Sequence, residues 1–193
     1  VVLDRALADR VGELTDVKIS VSNGMHPVQA AACDPEGRTF TYNSTFFSKN
    51  DRALADRGAA FYIPANYHEQ PWRMRNGFSP KPNVAMIKTA PMDRNGFFNF
   101  GTSNSYIKAV TEMADIVIVE SNEGVPRCLG GHSENIHLSE VDFIVEAEKT
   151  PMLPIPRPKA APEEGKMAEL IIEEIRDGAC LQLGIGGLPN TVG

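Results

Sequence analysis

The run Ile116–Glu120, with the sequence IVIVE, constrains the fold more than any other stretch of this chain. Four consecutive β-branched apolar residues are typical of a strand that is covered on both faces in a parallel sheet. A strand is also predicted over 84–89 (VAMIKT), and the helical spacing of apolar residues predicts a helix over 105–113 between the two. This order predicts an α/β fold built on parallel strands.

The rest of the chain continues the alternation of short strands and helices. Further helices are predicted over 3–14 and over 163–176, where acidic residues lie in the first turn. The heptad DRALADR occurs at 4–10 and again at 51–57, but the flanking residues differ, so we interpret the two copies as generic short helices rather than as an internal repeat. Further strands are predicted at Val17–Val21, Ala60–Pro64, Phe97–Phe100, Val141–Val145 and Ala179–Leu183. The predicted fold class is therefore α/β, with an open, mostly parallel sheet and flanking helices.

A proline-rich segment divides the chain. Five prolines fall within 150–162, and proline lacks a backbone N–H and restricts the residue before it. The segment is therefore predicted to be an extended linker. It separates a first domain over 1–149 from the start of a second domain over 163–193, which would contain a helix, a strand and a glycine loop.

Composition excludes several classes of protein. The net charge is −6, and no cluster of Lys and Arg indicates a nucleic-acid-binding surface. No apolar run approaches the roughly 20 residues that a membrane-spanning helix needs. The three cysteines are far apart and form no Cys-x-x-Cys pair, which predicts reduced thiols, no metal site and a cytoplasmic location. Because the first residue is valine, a lost targeting segment stays open.

A glycine-rich loop follows the last predicted strand. It consists of Gly184, Ile185, Gly186, Gly187 and Leu188, and Pro189 follows it. Free backbone N–H groups in such a loop attract anions, and glycine allows a ligand to approach the bare backbone. The dinucleotide fingerprint needs glycine where proline stands, and the Walker pattern needs a lysine that is absent. Spacing alone leaves open whether the loop binds a ligand or is only a tight turn.

Four segments in a fixed order resemble one family. They are DRNGFFNFG at 93–101 with Ser103, ADIVIVESNEGVPRCLGG at 114–131, IHLSEVDFIVE at 136–146, and LQLGIGGLPNTVG at 181–193 after the proline linker. Together they resemble the acyl-CoA:carboxylate CoA-transferases of the acetyl-CoA hydrolase/transferase family, among which the 4-hydroxybutyrate and butyryl-CoA:acetate enzymes are most similar. The resemblance covers most of the chain.

The resemblance implies two similar α/β domains with the active site between them, and a chain that lacks the opening strand of the first domain. It implies that CoA moves between a short-chain acyl-CoA and a small carboxylate through a glutamyl-CoA thioester. The glutamate belongs to a segment beyond Gly193, so no catalytic residue is expected in this chain. It further implies that Gly184, Ile185, Gly186, Gly187 and Leu188 contact CoA, which is a substrate and not a prosthetic group, and that the full protein is a homodimer or larger homo-oligomer.

Two alternative functions stay open. The parent protein is an acyl-CoA hydrolase if water replaces the carboxylate, or the chain by itself is a non-catalytic fragment or assembly module. Among individual residues, Glu120 and Glu123 are candidates for a pocket rim because they lie at a strand end. His132 and His137 are interpreted as structural, and Trp72 as a packing residue or an interface anchor.

Overall fold

The computed structural model describes residues 2–22, 24–154 and 160–193. The chain divides into two compact units, unit 1 at Val1–Met152 and unit 2 at Leu153–Gly193, and each is described by itself. Positions 155–159 of the predicted proline linker lie outside the described residues. The domain bounds 1–149 and 163–193 stay a prediction.

Unit 1 begins with a three-stranded parallel sheet whose order is β1-β2-β3. Its strands are β1 (Val17–Val21), β2 (Phe40–Ser44) and β3 (Phe61–Tyr62). Three short helices accompany them: α1 (Val2–Ala8), α2 (Gln29–Cys33) and α3 (Lys49–Ala55). Two small apolar clusters of this part contain the buried Phe40 and Tyr42, which lie two residues apart in β2 and therefore on the same face of the strand. The sheet is therefore held mainly by its middle strand.

A second parallel sheet follows, with the order β4-β6-β8. Its strands are β4 (Val84–Thr89), β6 (Ile116–Asn122) and β8 (Phe143–Ala147). A two-stranded antiparallel pair, β5 (Phe97–Asn99) and β7 (Asn135–His137), packs beside it, together with the helices α4 (Gln70–Arg75) and α5 (Ile107–Met113). The IVIVE run lies in the central strand β6, as its apolar sequence predicts. The core of this part consists of Ala85, Ile87, Phe98, Phe100, Val117, Val119 and Ile136.

The predicted fold class is confirmed, with one refinement. The strands are mostly parallel and helices flank them, but within the described residues of unit 1 they form two three-stranded parallel sheets instead of one. The predicted helix over 3–14 ends earlier, at Ala8. Beyond it, the N–H groups of Arg10 and Val11 donate to carbonyls three residues back, so the chain continues as tight turns rather than as α-helix.

Unit 2 contains α6 (Pro162–Glu173) and α7 (Gly187–Val192). The strand predicted at Ala179–Leu183 is wrong, because these residues adopt irregular backbone. A strand is stabilised by a hydrogen-bonded neighbour, and the described residues of unit 2 contain no other strand to pair with it. Leu181 and Leu183 are accordingly half exposed.

One carboxylate shapes the turn between α2 and β2. Asp34 is buried and accepts hydrogen bonds from the N–H groups of Arg38, Thr39 and Phe40 at 3.1, 2.7 and 2.8 Å. The bond from Phe40, above all, holds the pKa of Asp34 below its ordinary value, because hydrogen bonding stabilises the charged form.

None of the helices in the described residues is both long and apolar enough to span a bilayer.

Candidate functional site

The carboxyl ends of β4, β6 and β8 meet at one edge of the second sheet, where Thr89, Asn122 and Ala147 end the strands. In open parallel sheets, ligands bind outside this edge. A cavity of about 370 Å³ opens there. Its lining consists of Pro91, Ser121, Glu123, Glu146, Ala147, Glu148 and Lys149. We call it the edge cavity.

Two buried asparagines build the loops of this edge. Asn99 ends β5 and Asn122 ends β6, and both are about 2% exposed or less. Each amide oxygen accepts a hydrogen bond from the glycine two residues on, Gly101 at 2.9 Å and Gly124 at 2.8 Å. This turn reverses the chain at the strand end, and an Asn side chain favours it because it mimics a backbone carbonyl.

The same side chains also bind distant loops. The Asn99 amide nitrogen donates to the carbonyl oxygen of Cys128 at 2.9 Å and to Asn135 Oδ1 at 3.0 Å, while Cys128 N–H donates back to Asn99 Oδ1 at 2.9 Å. The Asn122 amide nitrogen donates to Glu148 O at 2.8 Å and to Thr150 Oγ1 at 3.0 Å. Both asparagines therefore use donor and acceptor together and fix the loops that surround the edge.

The glycines after these asparagines are required by close packing. A Cβ atom on Gly101 would lie 2.4 Å from Val125 Cγ1, and the φ of Gly101 is +62°. A Cβ atom on Gly124 would lie 1.9 Å from the carbonyl oxygen of Thr150. Real Cβ atoms do not approach other heavy atoms so closely, so the pattern Asn-x-Gly is needed at both strand ends.

The turn that precedes β5 is organised by Asp93. Its Oδ1 accepts hydrogen bonds from Asn95 N–H and Phe97 N–H, both at 2.9 Å, and Gly96 takes a φ of +83° inside the turn. Arg127 Nη2 donates to Asp93 Oδ2 at 3.1 Å. The hydrogen bond from Phe97 N–H contributes most to holding the pKa of Asp93 below its ordinary value, and the bonds from Asn95 and Arg127 contribute less. The turn thus orients the loop that carries Arg127.

Glu120 and Glu123 do not share one environment. Glu123 lines the edge cavity, in agreement with a rim position. Glu120 is 1% exposed, and its Oε2 accepts a hydrogen bond from Leu3 N–H at 3.2 Å, while its Oε1 has no hydrogen-bond partner within the described residues. Glu120 therefore ties the start of α1 to β6. A substrate-placing role for either residue stays a prediction.

The edge cavity is acidic. Its lining residues include three glutamates, Glu123, Glu146 and Glu148, and one lysine, Lys149. Such a lining disfavours phosphate or carboxylate ligands because like charges repel. In the described ranges 2–22, 24–154 and 160–193, no group of three His, Cys, Asp or Glu side chains is arranged to hold a metal ion.

The two histidines make local contacts. His137 Nδ1 accepts a hydrogen bond from Ser139 N–H at 3.2 Å and lies 2.8 Å from Ser139 Oγ, so the ring caps the short helix that follows. Glu140 accepts from His137 N–H and from Lys108 Nζ at 2.9 Å, and the Lys108 bond above all lowers the pKa of Glu140. His132 is exposed and contacts the adjacent Ser133 at 2.6 Å.

The glycine loop lies in unit 2. Gly184, Ile185 and Gly186 are exposed, and Gly186 takes a φ of +141°. In the described part of the chain, none of the five N–H groups of Gly184–Leu188 donates a hydrogen bond. A Cβ atom on Gly187 would lie 2.3 Å from Glu164 Oε1, so the Glu164 carboxylate lies directly against the loop. The loop offers free backbone donors beside one negative charge.

Mostly parallel sheets, with short loops at their carboxyl ends and a separate glycine loop, define an α/β protein. A sequence model of the Acetyl-CoA hydrolase/transferase N-terminal domain matches residues 2–156. The chain therefore belongs to the acetyl-CoA hydrolase/transferase family, and the resemblance drawn from its sequence is confirmed.

Relatives of known name support this membership. The chain is 45% identical over 192 residues to the butyryl-CoA:acetate CoA-transferase of Anaerostipes caccae, covering 99% of this chain and 43% of that protein. It is 38% identical over 155 residues to the 4-hydroxybutyrate coenzyme A transferase of Clostridium kluyveri, covering 80% of this chain and 35% of that protein. The chain thus spans less than half the length of these relatives.

Solved structures share the fold. The crystal structure of RipA from Yersinia pestis matches with a TM-score of 0.85 and 32% identity, over 98% of this chain and 46% of that one. The 4-hydroxybutyrate CoA-transferase of Porphyromonas gingivalis matches with a TM-score of 0.66 and 28% identity, over 98% of this chain and 49% of that one.

Proposed function

We propose that this chain forms the N-terminal part of a CoA-transferase. The enzyme would move CoA between a short-chain acyl-CoA and a carboxylate of the acetate, butyrate or 4-hydroxybutyrate type. The observation that carries the proposal is the 45% identity, over 99% of the chain, to a butyryl-CoA:acetate CoA-transferase. Because the chain spans 43% of that relative, the activity is assigned to a longer protein.

Within this chain, the residues proposed to contact CoA are Gly184–Leu188. Their five N–H groups have no acceptor in the described residues, and Ile185 is fully exposed. The Glu164 carboxylate against Gly187 repels a phosphate at that end of the loop. We therefore assign the loop to the neutral part of CoA, the pantetheine and the thioester, rather than to its phosphates.

This assignment gives the loop a chemical role. In the proposed reaction a glutamate from the longer protein attacks the thioester carbonyl, and the CoA thiolate leaves as a mixed anhydride forms. The thiolate then attacks the glutamyl carbonyl, the carboxylate leaves, and a glutamyl-CoA thioester remains. Each attack places negative charge on a carbonyl oxygen. Backbone N–H groups aimed at that oxygen would stabilise it without a change in protonation.

The test is a transfer assay on the full-length protein. Incubation with butyryl-CoA and acetate should yield acetyl-CoA, and borohydride added after butyryl-CoA alone should trap a glutamyl thioester and inactivate the enzyme. Free thiol that appears at full rate without acetate would instead identify a hydrolase, in which water takes the place of the carboxylate. Absence of both activities would overturn the proposal.

The proposal also includes a cytoplasmic location and a protein without a prosthetic group. Cys33, Cys128 and Cys180 are free thiols in the structure, which agrees with a reducing compartment. Fractionation of the cells that express the protein tests the first point, and the absorption spectrum of the purified enzyme tests the second.

A further inference from the structure

Thr150 lies three residues after the end of β8, where the chain leaves the second sheet. Its N–H donates to Asn122 Oδ1 at 3.2 Å. Its Oγ1 accepts hydrogen bonds from Asn122 Nδ2 at 3.0 Å and from Lys88 Nζ at 2.8 Å. We call these three residues the Thr150 clamp. Positions 151–154, which follow, are exposed and form no hydrogen bond with other described residues, so the clamp is the last hydrogen-bonded point before the linker.

The clamp connects all three strands of this sheet. Lys88 belongs to β4, Asn122 ends β6 and Thr150 follows β8. The Asn122 amide nitrogen donates to Glu148 O and to Thr150 Oγ1. Its amide oxygen accepts from the N–H groups of Gly124 and Thr150, so the whole amide is used. Because Asn122 is 1% exposed, water has little access to these bonds, and the clamp has a buried, fully satisfied centre.

The ammonium group of Lys88 contacts a hydroxyl rather than a carboxylate. Lys88 is the register partner of Glu120 in β6, so the two side chains lie on the same face of the sheet. Glu120 Oε1 has no hydrogen-bond partner in the described residues, and Lys88 forms no ion pair there. A charged donor strengthens the bond that Thr150 Oγ1 accepts. The lysine is thus directed to the end of β8 instead of pairing within the sheet.

The main chain of Thr150 is also fixed by packing. A Cβ atom on Gly124 would lie 1.9 Å from the Thr150 carbonyl oxygen, so the two backbones are in direct contact. Strand β8 does not depend on this clamp, because all five of its residues, Phe143–Ala147, are paired with β6. The clamp acts beyond the last of these pairs, on the segment that leads out of unit 1. It therefore holds the exit of the chain rather than the strand.

We propose that Thr150 is a positioning residue, because the clamp fixes the place and the direction in which the linker leaves unit 1. Unit 2, which follows the linker, contains Gly184–Leu188, the residues assigned above to CoA. Acyl transfer needs its reacting groups in one arrangement, and a displacement of about 1 Å can cost about a hundredfold in rate. In this respect the inference rests on the proposed function. Thr150 acts through the main chain and has no chemical step of its own.

The chain offers its own probe of the clamp, because trypsin cleaves after lysine and Lys149 precedes Thr150. The N–H of that peptide bond is held by Asn122, so the cleavage rate measures how often the clamp opens. Thr150→Val replaces the hydroxyl with a methyl group and should speed this cleavage about tenfold. Thr150→Ser keeps the hydroxyl and should restore the wild-type rate. Thr15→Val, the same change at an exposed position before β1, is the matched control and should cleave like the wild type.

A double variant tests whether Lys88 acts on Thr150. Lys88→Met removes the ammonium group but keeps an unbranched side chain, and it should speed cleavage after Lys149 severalfold. Because both changes remove the same bond, Lys88→Met combined with Thr150→Val should be cleaved no faster than Thr150→Val alone. Effects that multiply would show that the two residues act separately and would contradict the clamp.

In the full-length protein the positioning role is measured by the split between kcat and KM. Thr150→Val should lower kcat for transfer from butyryl-CoA to acetate about tenfold, with little change in KM for butyryl-CoA, because the loop assigned to CoA is intact. Thr150→Ser should keep the wild-type kcat, and circular dichroism checks that each variant is folded.

A Thr150→Val enzyme with the wild-type kcat, or cleavage after Lys149 at the wild-type rate, would overturn the inference. A wild-type protein that transfers no CoA would overturn the proposed function instead, and with it the kinetic role of Thr150, while the cleavage rates still decide whether the clamp holds the linker.

Discussion

The substitution Asn99→Asp changes one atom of a fully satisfied hydrogen-bond group. The wild-type amide nitrogen donates to Cys128 O and to Asn135 Oδ1, and the amide oxygen accepts from Gly101 N–H and Cys128 N–H. An aspartate keeps the acceptor but replaces the donor with a second oxygen. That oxygen faces two other oxygens at a position that is 2% exposed.

The cost follows from these contacts. Each lost hydrogen bond is worth about 1 kcal/mol, and a buried carboxylate without a donor adds a few kcal/mol more, so the free energy of unfolding should fall by about 3–5 kcal/mol at pH 7. That is a large part of the roughly 5–15 kcal/mol that stabilises an ordinary domain. Burial raises the folded-state pKa of the new carboxyl above its unfolded value near 4. The penalty should therefore grow as the pH rises from about 4 and largely disappear below it.

Urea unfolding, followed by circular dichroism at pH 4 and pH 7, measures both effects. Asn95→Asp introduces the same change at an exposed turn and should shift the midpoint little at either pH, by about 0.5 kcal/mol at most. Equal midpoints for the two variants at pH 7, or a deficit in Asn99→Asp that persists at pH 4, would refute the role given to this amide.

Three further predictions concern single positions. Gly101→Ala should lower the free energy of unfolding by about 2–4 kcal/mol, because it combines a positive φ with a steric overlap, whereas Gly12→Ala, which meets nothing within 4 Å, should be neutral in the same urea titration. Asp34→Asn should lower the free energy of unfolding by about 1 kcal/mol at pH 7. The wild type loses this stabilisation as the pH falls through the lowered pKa of Asp34, so the urea midpoints of the wild type and the variant should converge below pH 4. Gly186→Ala, at a φ of +141°, should weaken CoA binding about tenfold by calorimetry, and Gly165→Ala, which lies outside the loop and meets nothing within 4 Å, should not; equal affinities would remove the loop from the CoA site.

The sequence predicts the second sheet well because its signal is local. The run IVIVE predicts a strand, and β6 lies there, but one face is covered more than the other: Val117 and Val119 are buried, whereas Ile116 is exposed and Ile118 is half-buried. The first sheet was predicted less completely. Its middle strand β2 (Phe40–Ser44) was not among the predicted strands, although Phe40, Tyr42 and Ser44 are buried in alternation with half-exposed residues. The alternation of aromatic and polar residues in FTYNS is itself the signal of a half-buried strand, so β2 could have been predicted from the sequence.

The edge of the second sheet shows where local reasoning stops. The pattern Asn-x-Gly at 99–101 and 122–124 indicates a turn at each strand end, and a search for it would have found both. The partners of Asn99, however, lie up to 36 residues away. No spacing rule relates positions so far apart, so the way in which these amides join the loops could be read only from the fold.

The duplicated heptad DRALADR isolates the contribution of the fold, because the local sequence is identical in both copies. Both copies form a helix that ends at the second alanine of the heptad, but their first residues, Asp4 and Asp51, accept hydrogen bonds from different parts of the fold. Asp51 is 1% exposed and accepts from Tyr42 Oη at 2.6 Å and from Ser48 N–H at 2.7 Å, and burial, above all, raises the pKa of Tyr42. Asp4 is only half buried and accepts from the N–H groups that begin α2, at 2.8 and 3.3 Å.

Replacing each of these aspartates with alanine should therefore give unequal losses. Asp51→Ala leaves a buried tyrosine hydroxyl and a helix-cap N–H without acceptors, which should cost about 2–4 kcal/mol. Asp4→Ala exposes N–H groups that water can partly reach, which should cost about 1 kcal/mol. Helix propensity changes by the same amount in both variants, so the difference between their urea midpoints measures tertiary context alone. Equal losses would mean that the heptad's own sequence, and not the Tyr42 contact, determines how much each aspartate stabilises the fold.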